Sequence, residues 1–275
     1  MTADVDWTDQ FDQVKGSIFF VLFSPIQDDL RKLQKVADGV KSIQDQDQRE
    51  AMVNKGCSST GFVCYTTESR LLIMTTANGL RHLFNASQPL TLETLRMFSI
   101  SVVCDHQEET LQRNRSIAGD RKYADAVAGA VDSDEDIIVL RLKKSLLKNY
   151  LDERVCARGH PALQICPDMP IDGTECMLVS WPSHLHRMVS MGSTVSSTAV
   201  DMPNAPVLLE VDMRTEDCSS GAPLFNPDGQ VIGMLRGSLS RSRSIFVAGS
   251  HLRDWIQAAR HDCLQRQNLR QPNRT

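Results

Sequence analysis

A strong turn signal between two apolar segments most constrains how this chain can fold. Residues 226–229 (Asn-Pro-Asp-Gly) separate residues 224–225 (Leu-Phe) from residues 230–235 (Gln-Val-Ile-Gly-Met-Leu). Asn, Pro, Asp and Gly in succession are typical of a tight turn, and the apolar flanks favour β-strands. The pattern therefore predicts a β-hairpin, and with it antiparallel sheet, at this point of the chain.

Directly before this hairpin, Ser220 would lie on the turn that leads into its first strand. A serine can act as a nucleophile on a sharp turn, when backbone N–H groups face the developing oxyanion and a base is within hydrogen-bond reach. Gly221 and the small Ala222 would let the backbone turn closely, and Pro223 would stiffen the start of the strand. The same residues could form a polar loop without chemistry, so this segment alone leaves both interpretations open.

Other apolar segments follow one another in a definite order along the chain: residues 59–63, 72–77, 134–142, 177–182 and 189–196. Together with residues 218–224 and 231–233, they resemble the strands and the serine turn of the trypsin-like serine peptidases, in particular of the Do-like (HtrA) branch. The resemblance extends from about Gly16 to Trp255. It implies an all-β fold of two six-stranded antiparallel β-barrels with a C-terminal helix.

The resemblance also implies a catalytic triad, which in this family runs His, Asp, Ser along the chain. Asp136 falls at the aspartate position and Ser220 at the serine position, whereas Asn78 occupies the histidine position directly after Ala77. An amide cannot take the serine proton and return it to the leaving amine, although it could hydrogen-bond both Asp136 and Ser220. Very slow turnover is predicted, because general-base assistance contributes about 10²–10⁴-fold.

Another histidine could in principle supply the missing base. His82 lies four residues after Asn78, which in a helix is one turn, or about 5.4 Å of axial rise. A base must come within about 3 Å of the group whose proton it takes, so His82 is a poor substitute. The other histidines are interpreted as surface or capping residues: His106, His160, His184, His186, His251 and His261.

The oxyanion hole of the family corresponds to Cys218, Ser219 and Ser220 in this chain. The family has glycine at the position of Cys218, and a Cβ there makes the required backbone turn more costly, which predicts a collapsed hole. Ser219 replaces an Asp or Asn and weakens a supporting hydrogen bond. The Cys218 thiol is a second candidate nucleophile, but it has no matching histidine either, and a buried thiol is the simpler interpretation.

By the same resemblance, Leu235, Arg236 and Gly237 would bind an extended peptide by strand addition. The Arg236 side chain would either favour an acidic peptide or fill the pocket. The implied partner is a protein or peptide ligand in the cleft between the barrels. The PDZ module that many Do-like proteases carry is not expected, and the sequence predicts no oligomeric state.

Composition argues against several other classes. The chain has 275 residues, enough for two small barrels with a sizeable core, and its formal charge of −4 gives no global reason to bind nucleic acid. We find no secretory signal and no apolar run near the roughly 20 residues of a membrane span, which predicts an intracellular protein, cytoplasmic or nuclear. The eight cysteines should then be reduced. They form no Cys-x-x-Cys pair and no histidine falls at zinc-ligand spacing, so neither a metal nor another cofactor is predicted.

The expected organisation is an N-terminal tail (1–14), a first barrel (15–150), a second barrel with a closing helix (151–258) and a polar tail (259–275). The closing helix itself is predicted over residues 251–260. A charged insertion at 27–54 interrupts the first barrel, and its apolar residues recur at near-helical spacing: Leu30, Leu33, Val36, Val40 and Ile43. A surface helix is predicted there, either as a solvated flank or as a partner-binding face.

Two functions follow from these observations and stay open at this point. One is a non-catalytic peptidase homologue that uses the double barrel as a peptide-binding scaffold. The other is an active serine endopeptidase that hydrolyses peptide bonds through Ser220 with an unrecognised base.

Overall fold

The computed structural model describes residues 5–40, 45–107, 121–149, 154–157, 159–182, 187–199 and 206–265. Within these residues the chain forms two closed antiparallel barrels. The first consists of β1 (Ile18–Pro25), β2 (Cys57–Thr66), β3 (Arg70–Thr75), β4 (Phe98–Cys104), β5 (Ala124–Asp132) and β6 (Ile137–Lys143). The second consists of β7 (Glu175–Ser180), β8 (Met188–Ala199), β9 (Val207–Asp212), β10 (Pro223–Phe225), β11 (Val231–Ser238) and β12 (Arg243–Ala248).

Helices flank the barrels at both chain ends and at the insertion. They are α1 (Trp7–Val14), α2 (Leu30–Val40), α3 (Gln46–Asn54), α4 (Leu92–Leu95) and α5 (Gly249–Gln265). The first barrel closes in the order β1-β2-β3-β6-β5-β4 and the second in the order β10-β11-β12-β9-β8-β7. The predicted fold of two six-stranded barrels with a C-terminal helix and a helical insertion is confirmed. Among the described residues, no helix is both long and apolar enough to cross a bilayer.

Several strands are apolar throughout because they are buried on both faces. In β3, Leu71 and Ile73 pack inside the first barrel, whereas Leu72 and Met74 pack in a cluster that takes side chains from both barrels. Successive strand residues point to opposite faces, so a strand in this position has no solvent-facing side on which polar residues would recur. The shared cluster joins the two barrels.

The charged insertion forms two helices, α2 and α3, which pack on the first barrel. Leu33, Ala37 and Val40 of α2 and Val53 of α3 are buried in the core of that barrel. Their spacing of three and four residues in α2 gives one apolar stripe along the helix. The insertion is therefore an amphipathic flank of the barrel; Ile43 lies outside the described residues.

Both expected tails contain helix. In α1, the Gln10 Nε2 donates to the carbonyl oxygens of Asn226 and Pro227, each at 2.9 Å, so this helix caps the turn of the serine hairpin. The closing helix α5 continues to Gln265, beyond the predicted end at residue 260. Its Trp255 Nε1 donates to Asp132 Oδ2 at 3.2 Å. The closing helix therefore extends into the predicted polar tail, and residues 266–275 lie outside the described part of the chain.

Candidate active site

The three predicted triad positions meet at the cleft between the barrels. Asn78 begins a 3-10 turn (Asn78–Leu83) after β3, Asp136 directly precedes β6, and Ser220 lies on the turn before β10. The cleft has a volume of about 1030 Å³, and both Asn78 and Ser220 line it. The structure therefore brings the three predicted positions together at one cleft.

Backbone hydrogen bonds fix the turn that carries Ser220 against both barrels. Gly221 N–H donates to the Leu235 carbonyl at 2.7 Å, and Thr60 N–H of the first barrel donates to the Ser220 carbonyl at 3.0 Å. Gly221 has a φ of +85°, and a Cβ there would lie 2.2 Å from the Thr60 carbonyl oxygen. Only glycine fits this contact, because it tolerates positive φ and has no side chain to clash. The turn is thus shaped by the neighbouring barrel as well as by its own sequence.

Cys218 adopts a left-handed backbone conformation, which glycine tolerates best. Its φ is +66°, in the left-handed region that costs a non-glycine residue about 1–2 kcal/mol. In the described part of the chain, no protein group accepts a hydrogen bond from the backbone N–H of Cys218 or of Ser220. These two N–H groups are the ones that an oxyanion would need, and the prediction of a hole collapsed by Cys218 stays a prediction.

Ser219, in contrast, does not contribute an N–H group to the hole. Its N–H donates to the Glu216 carbonyl at 3.2 Å, and its buried hydroxyl donates to Ser180 Oγ at 3.2 Å. The side chain therefore supports the turn from below, in the role of the larger polar residue that it replaces. Of the three predicted oxyanion-hole residues, only Cys218 and Ser220 fit that role.

Asp136 is buried and bonded to a threonine instead of an imidazole. Thr76 Oγ1 lies 2.7 and 2.8 Å from the two carboxylate oxygens and donates its one proton to them, while also accepting from Asn78 N–H at 3.0 Å. Burial raises the pKa of Asp136 to about 6; the Thr76 hydroxyl, the Arg236 charge and nearby backbone N–H groups oppose this rise. A base-orienting carboxylate is therefore present at the predicted position.

The raised pKa of Asp136 predicts a pH-dependent stability. Because the folded protein binds this proton more tightly than the unfolded chain, ionisation of Asp136 lowers the free energy of unfolding. This loss is absent below pH 3.8, the ordinary pKa of the group, and reaches its full size of about 3 kcal/mol above about pH 6. Relative to wild type, Asp136→Asn is expected to gain up to about 3 kcal/mol in free energy of unfolding between pH 4 and pH 7. Chemical denaturation at both pH values measures this gain. The exposed Asp125, changed to Asn, is the control and should show no such gain; equal pH profiles for both variants would contradict the prediction.

The Asn78 side chain makes no hydrogen bond to either triad partner. Its side-chain Nδ2 donates to the Arg236 carbonyl at 3.0 Å, and the Ser220 hydroxyl donates to the same carbonyl at 3.4 Å. No hydrogen bond joins the Asn78 side chain to Asp136 or Ser220, all three of which are described. The expectation that asparagine would bridge the two was wrong, because the Arg236 carbonyl is a better-placed acceptor.

His82 lines the same cleft as Ser220 but makes no hydrogen bond to it. It is buried within the 3-10 turn, and neither ring nitrogen has a hydrogen-bond partner among the described residues. Burial, with the Arg81 charge, lowers the pKa of His82 to about 4, so the ring is neutral at physiological pH. The prediction that His82 is a poor substitute is consistent with this geometry.

The predicted substrate-binding residues lie in the last part of β11. The pairing of β11 with β12 shifts register between Leu235 and Gly237, so Arg236 is a bulged residue. Its carbonyl reaches Asn78 and Ser220 as a consequence of the bulge. Leu235 and Gly237 line the cleft.

A double barrel with a serine turn and a buried aspartate at one shared cleft is the architecture of the trypsin-like serine peptidases. The trypsin-like peptidase domain matches residues 59–234, and the chain belongs to this family. The family assignment made from the sequence is thereby confirmed.

Solved structures share the fold at low sequence identity. The Rv3671c protease from M. tuberculosis in its active form gives a TM-score of 0.58 at 13% identity, over 90% of this chain and 82% of that chain. Its inactive form gives a TM-score of 0.55 at 13% identity, over 94% of this chain and 98% of that chain. Deg5 gives a TM-score of 0.54 at 12% identity, over 91% of this chain and 90% of that chain. At such identities the likeness shows the fold alone. No curated protein sequence matches the chain.

Proposed function

We propose that the chain is a trypsin-like (Do-like) serine peptidase homologue with little or no peptide-bond hydrolysis, which binds a protein or peptide in the cleft between its barrels. The observation that carries the proposal is the Asn78 amide, which donates to the Arg236 carbonyl instead of linking Asp136 to Ser220. An amide cannot act as a general base near neutral pH. Among the described residues, no basic side chain is hydrogen-bonded to Ser220 either.

The edge of β11 supports binding of an extended peptide. Backbone bonds pair β11 with the serine turn as far as Leu235, and beyond it Gly237 and Ser238 pair only with β12 in the described part of the chain. Both residues line the cleft. Strand addition at this edge would use main-chain hydrogen bonds and needs no catalytic chemistry. Because the Arg236 carbonyl already accepts from Asn78 and Ser220, a peptide would displace one of them or pair further along.

Charged side chains in the cleft support a choice of peptide. Lys55 and Arg81 line it from the first barrel, whereas Glu216 and Asp217 line it from the second. Complementary charges steer association and fix register more than they add affinity. A peptide with acidic residues toward the first barrel and basic residues toward the second fits this arrangement.

The competing function is an active serine endopeptidase that uses an unrecognised base. The backbone N–H groups of Cys218 and Ser220 favour it, since they have no partner in the described residues and could bind an oxyanion. A shaped turn and an oxyanion hole alone give far less than a complete triad.

The two functions differ in how fast Ser220 reacts. We expect wild-type protein to be labelled by a fluorophosphonate probe no faster than Ser220→Ala, because the hydroxyl has no base to activate it. Gel fluorescence and mass spectrometry of the labelled peptide measure this, with active trypsin in parallel to verify the probe. Strong labelling that Ser220→Ala abolishes would overturn the proposal in favour of the endopeptidase.

A location in the cytoplasm or nucleus is part of the proposal. All eight cysteines lie in the described part of the chain, and none is in a disulfide. Reduced thiols are typical of intracellular compartments, where disulfides rarely persist.

A further inference from the structure

Four side chains that could bind a metal meet at the end of β4, beside the core of the first barrel. Cys104 ends β4 and His106 follows it by two residues, whereas Cys156 and His160 lie on the segment that leads to the second barrel. One ligand atom from each of the four lies within 4.8 Å of all the others. His106 Nδ1 is 3.7 Å from Cys104 Sγ and 2.7 Å from Cys156 Sγ.

One ring nitrogen of His160 is fixed by a hydrogen bond, and the other has no hydrogen-bond partner among the described residues. Its Nδ1 is 2.5 Å from the Gly16 carbonyl oxygen, to which it donates, so the other nitrogen, Nε2, carries a lone pair. That Nε2 is buried and has no hydrogen-bond partner among the described residues. The ring packs against Phe19 and His106, with both pairs of ring centres 5.2 Å apart. A buried acceptor without a partner is costly, and it points to a ligand that completes the cluster.

We propose that Cys104, His106, Cys156 and His160 bind one Zn²⁺ ion. Two sulfur and two imidazole donors suit zinc, which prefers a tetrahedral set of such ligands. Zinc bonds of about 2.3 Å to sulfur and 2.0 Å to nitrogen place neighbouring ligand atoms about 3.3–3.8 Å apart, so small side-chain shifts suffice here. The Gly16 carbonyl orients His160, which is how backbone groups hold zinc-bound histidines in general.

Such a site is structural, because all four positions of a tetrahedral ion are taken by protein. It ties the end of β4 to the segment between the barrels, and through Gly16 to the start of β1. Metal binding would displace the two thiol protons and contribute its free energy to folding. The prediction of no metal is thereby revised, as is the interpretation of His160 as a surface residue, since His160 is buried.

The metal content of the purified protein tests the site. We expect about one zinc ion per chain by inductively coupled plasma mass spectrometry, reduced about tenfold or more in Cys104→Ser and in His160→Gln. Cys166→Ser is the matched control, because Cys166 is also buried but lies outside the cluster; it should keep its zinc. Removal of zinc with a chelator should lower the melting temperature of wild type and of the control.

Cobalt substitution keeps the test decisive if the ligand variants fail to fold. Wild-type protein stripped of zinc under reducing conditions and titrated with Co²⁺ should develop thiolate-to-cobalt charge-transfer bands with an end point at about one ion per chain. Absence of both zinc and these bands would overturn the proposal. So would equal zinc in the folded Cys104 and His160 variants, or a Cys104–Cys156 disulfide found by peptide mass mapping. None of these outcomes bears on whether Ser220 is reactive, so this proposal and the proposed function fail separately.

Discussion

Asn78→His is expected to raise the rate of fluorophosphonate labelling at Ser220 by about 100-fold or more, because it restores the general base. Asp136 already lies at this end of the cleft, where an imidazole N–H could replace the Thr76 hydroxyl as its donor. The Cys218 and Ser220 N–H groups could receive the oxyanion. The new imidazole would therefore link Asp136 to Ser220, which the Asn78 side chain does not do in wild type. Labelling should increase as pH rises through about 6.5, where histidine loses its proton.

Asn78→Gln is the control for this variant, since it also breaks the contact with Arg236 yet supplies no base. It should label as slowly as wild type, and Asn78→His/Ser220→Ala should not label at all. If folded Asn78→His is labelled no faster than wild type, then Asp136 and the N–H groups of Cys218 and Ser220 do not form a working site with the new histidine. A gain that appears only in Asn78→His/Cys218→Gly would locate the block at Cys218.

Gly221→Ala is expected to destabilise the protein by about 3 kcal/mol or more, the largest effect that we anticipate on folding. The new Cβ would lie 2.2 Å from the Thr60 carbonyl oxygen and 3.0 Å from the Thr76 backbone nitrogen. Backbone atoms cannot move aside as a flexible side chain would, so the barrels themselves would have to separate. Chemical denaturation measures the change in free energy of unfolding.

Gly173→Ala separates this clash from backbone strain. Gly173 has a φ of +81°, close to that of Gly221, but a Cβ there would meet nothing within 4 Å. It should cost only about 1–2 kcal/mol, the penalty for a left-handed residue. If the two variants lose equal stability, the close contact between the barrels at Gly221 has no energetic weight.

The fold could be predicted because its signals are local and ordered. Each apolar run marks one strand, and the Asn-Pro-Asp-Gly turn marks the hairpin that follows Ser220. The spacing of Leu33 and Val40 indicated helix in the insertion, but not that α2 and α3 would divide it. The helix at Trp7–Val14 was missed although its Asp6 N-cap is a local signal, and its contact through Gln10 with Asn226, 216 residues away, could not be predicted.

The candidate site could be located from the sequence, but its hydrogen bonds could not. Asn78, Asp136 and Ser220 were identified by their order in the chain. That the Asn78 amide prefers the Arg236 carbonyl depends on a bulge in β11, which no local pattern encodes. The left-handed conformation of Cys218 likewise follows from the surrounding turn.

The cysteine and histidine cluster was missed for a similar reason. Its members come as two pairs, Cys104 with His106 and Cys156 with His160, and Cys156 is 50 residues from His106. Neither pair alone suggests a metal site, although two short pairs of this kind in one chain are a signal that a wider search of spacings would find.

The serine turn also bears on how sequence motifs persist. Because Gly221 packs closely against the Thr60 carbonyl and Thr60 N–H donates to the Ser220 carbonyl, this turn holds the two barrels together as well as presenting Ser220 to the cleft. Selection for folding alone would therefore preserve this glycine, whether or not the cleft hydrolyses peptides. A motif search through the serine turn alone will therefore collect chains with and without the triad histidine, whose position in this chain is that of Asn78.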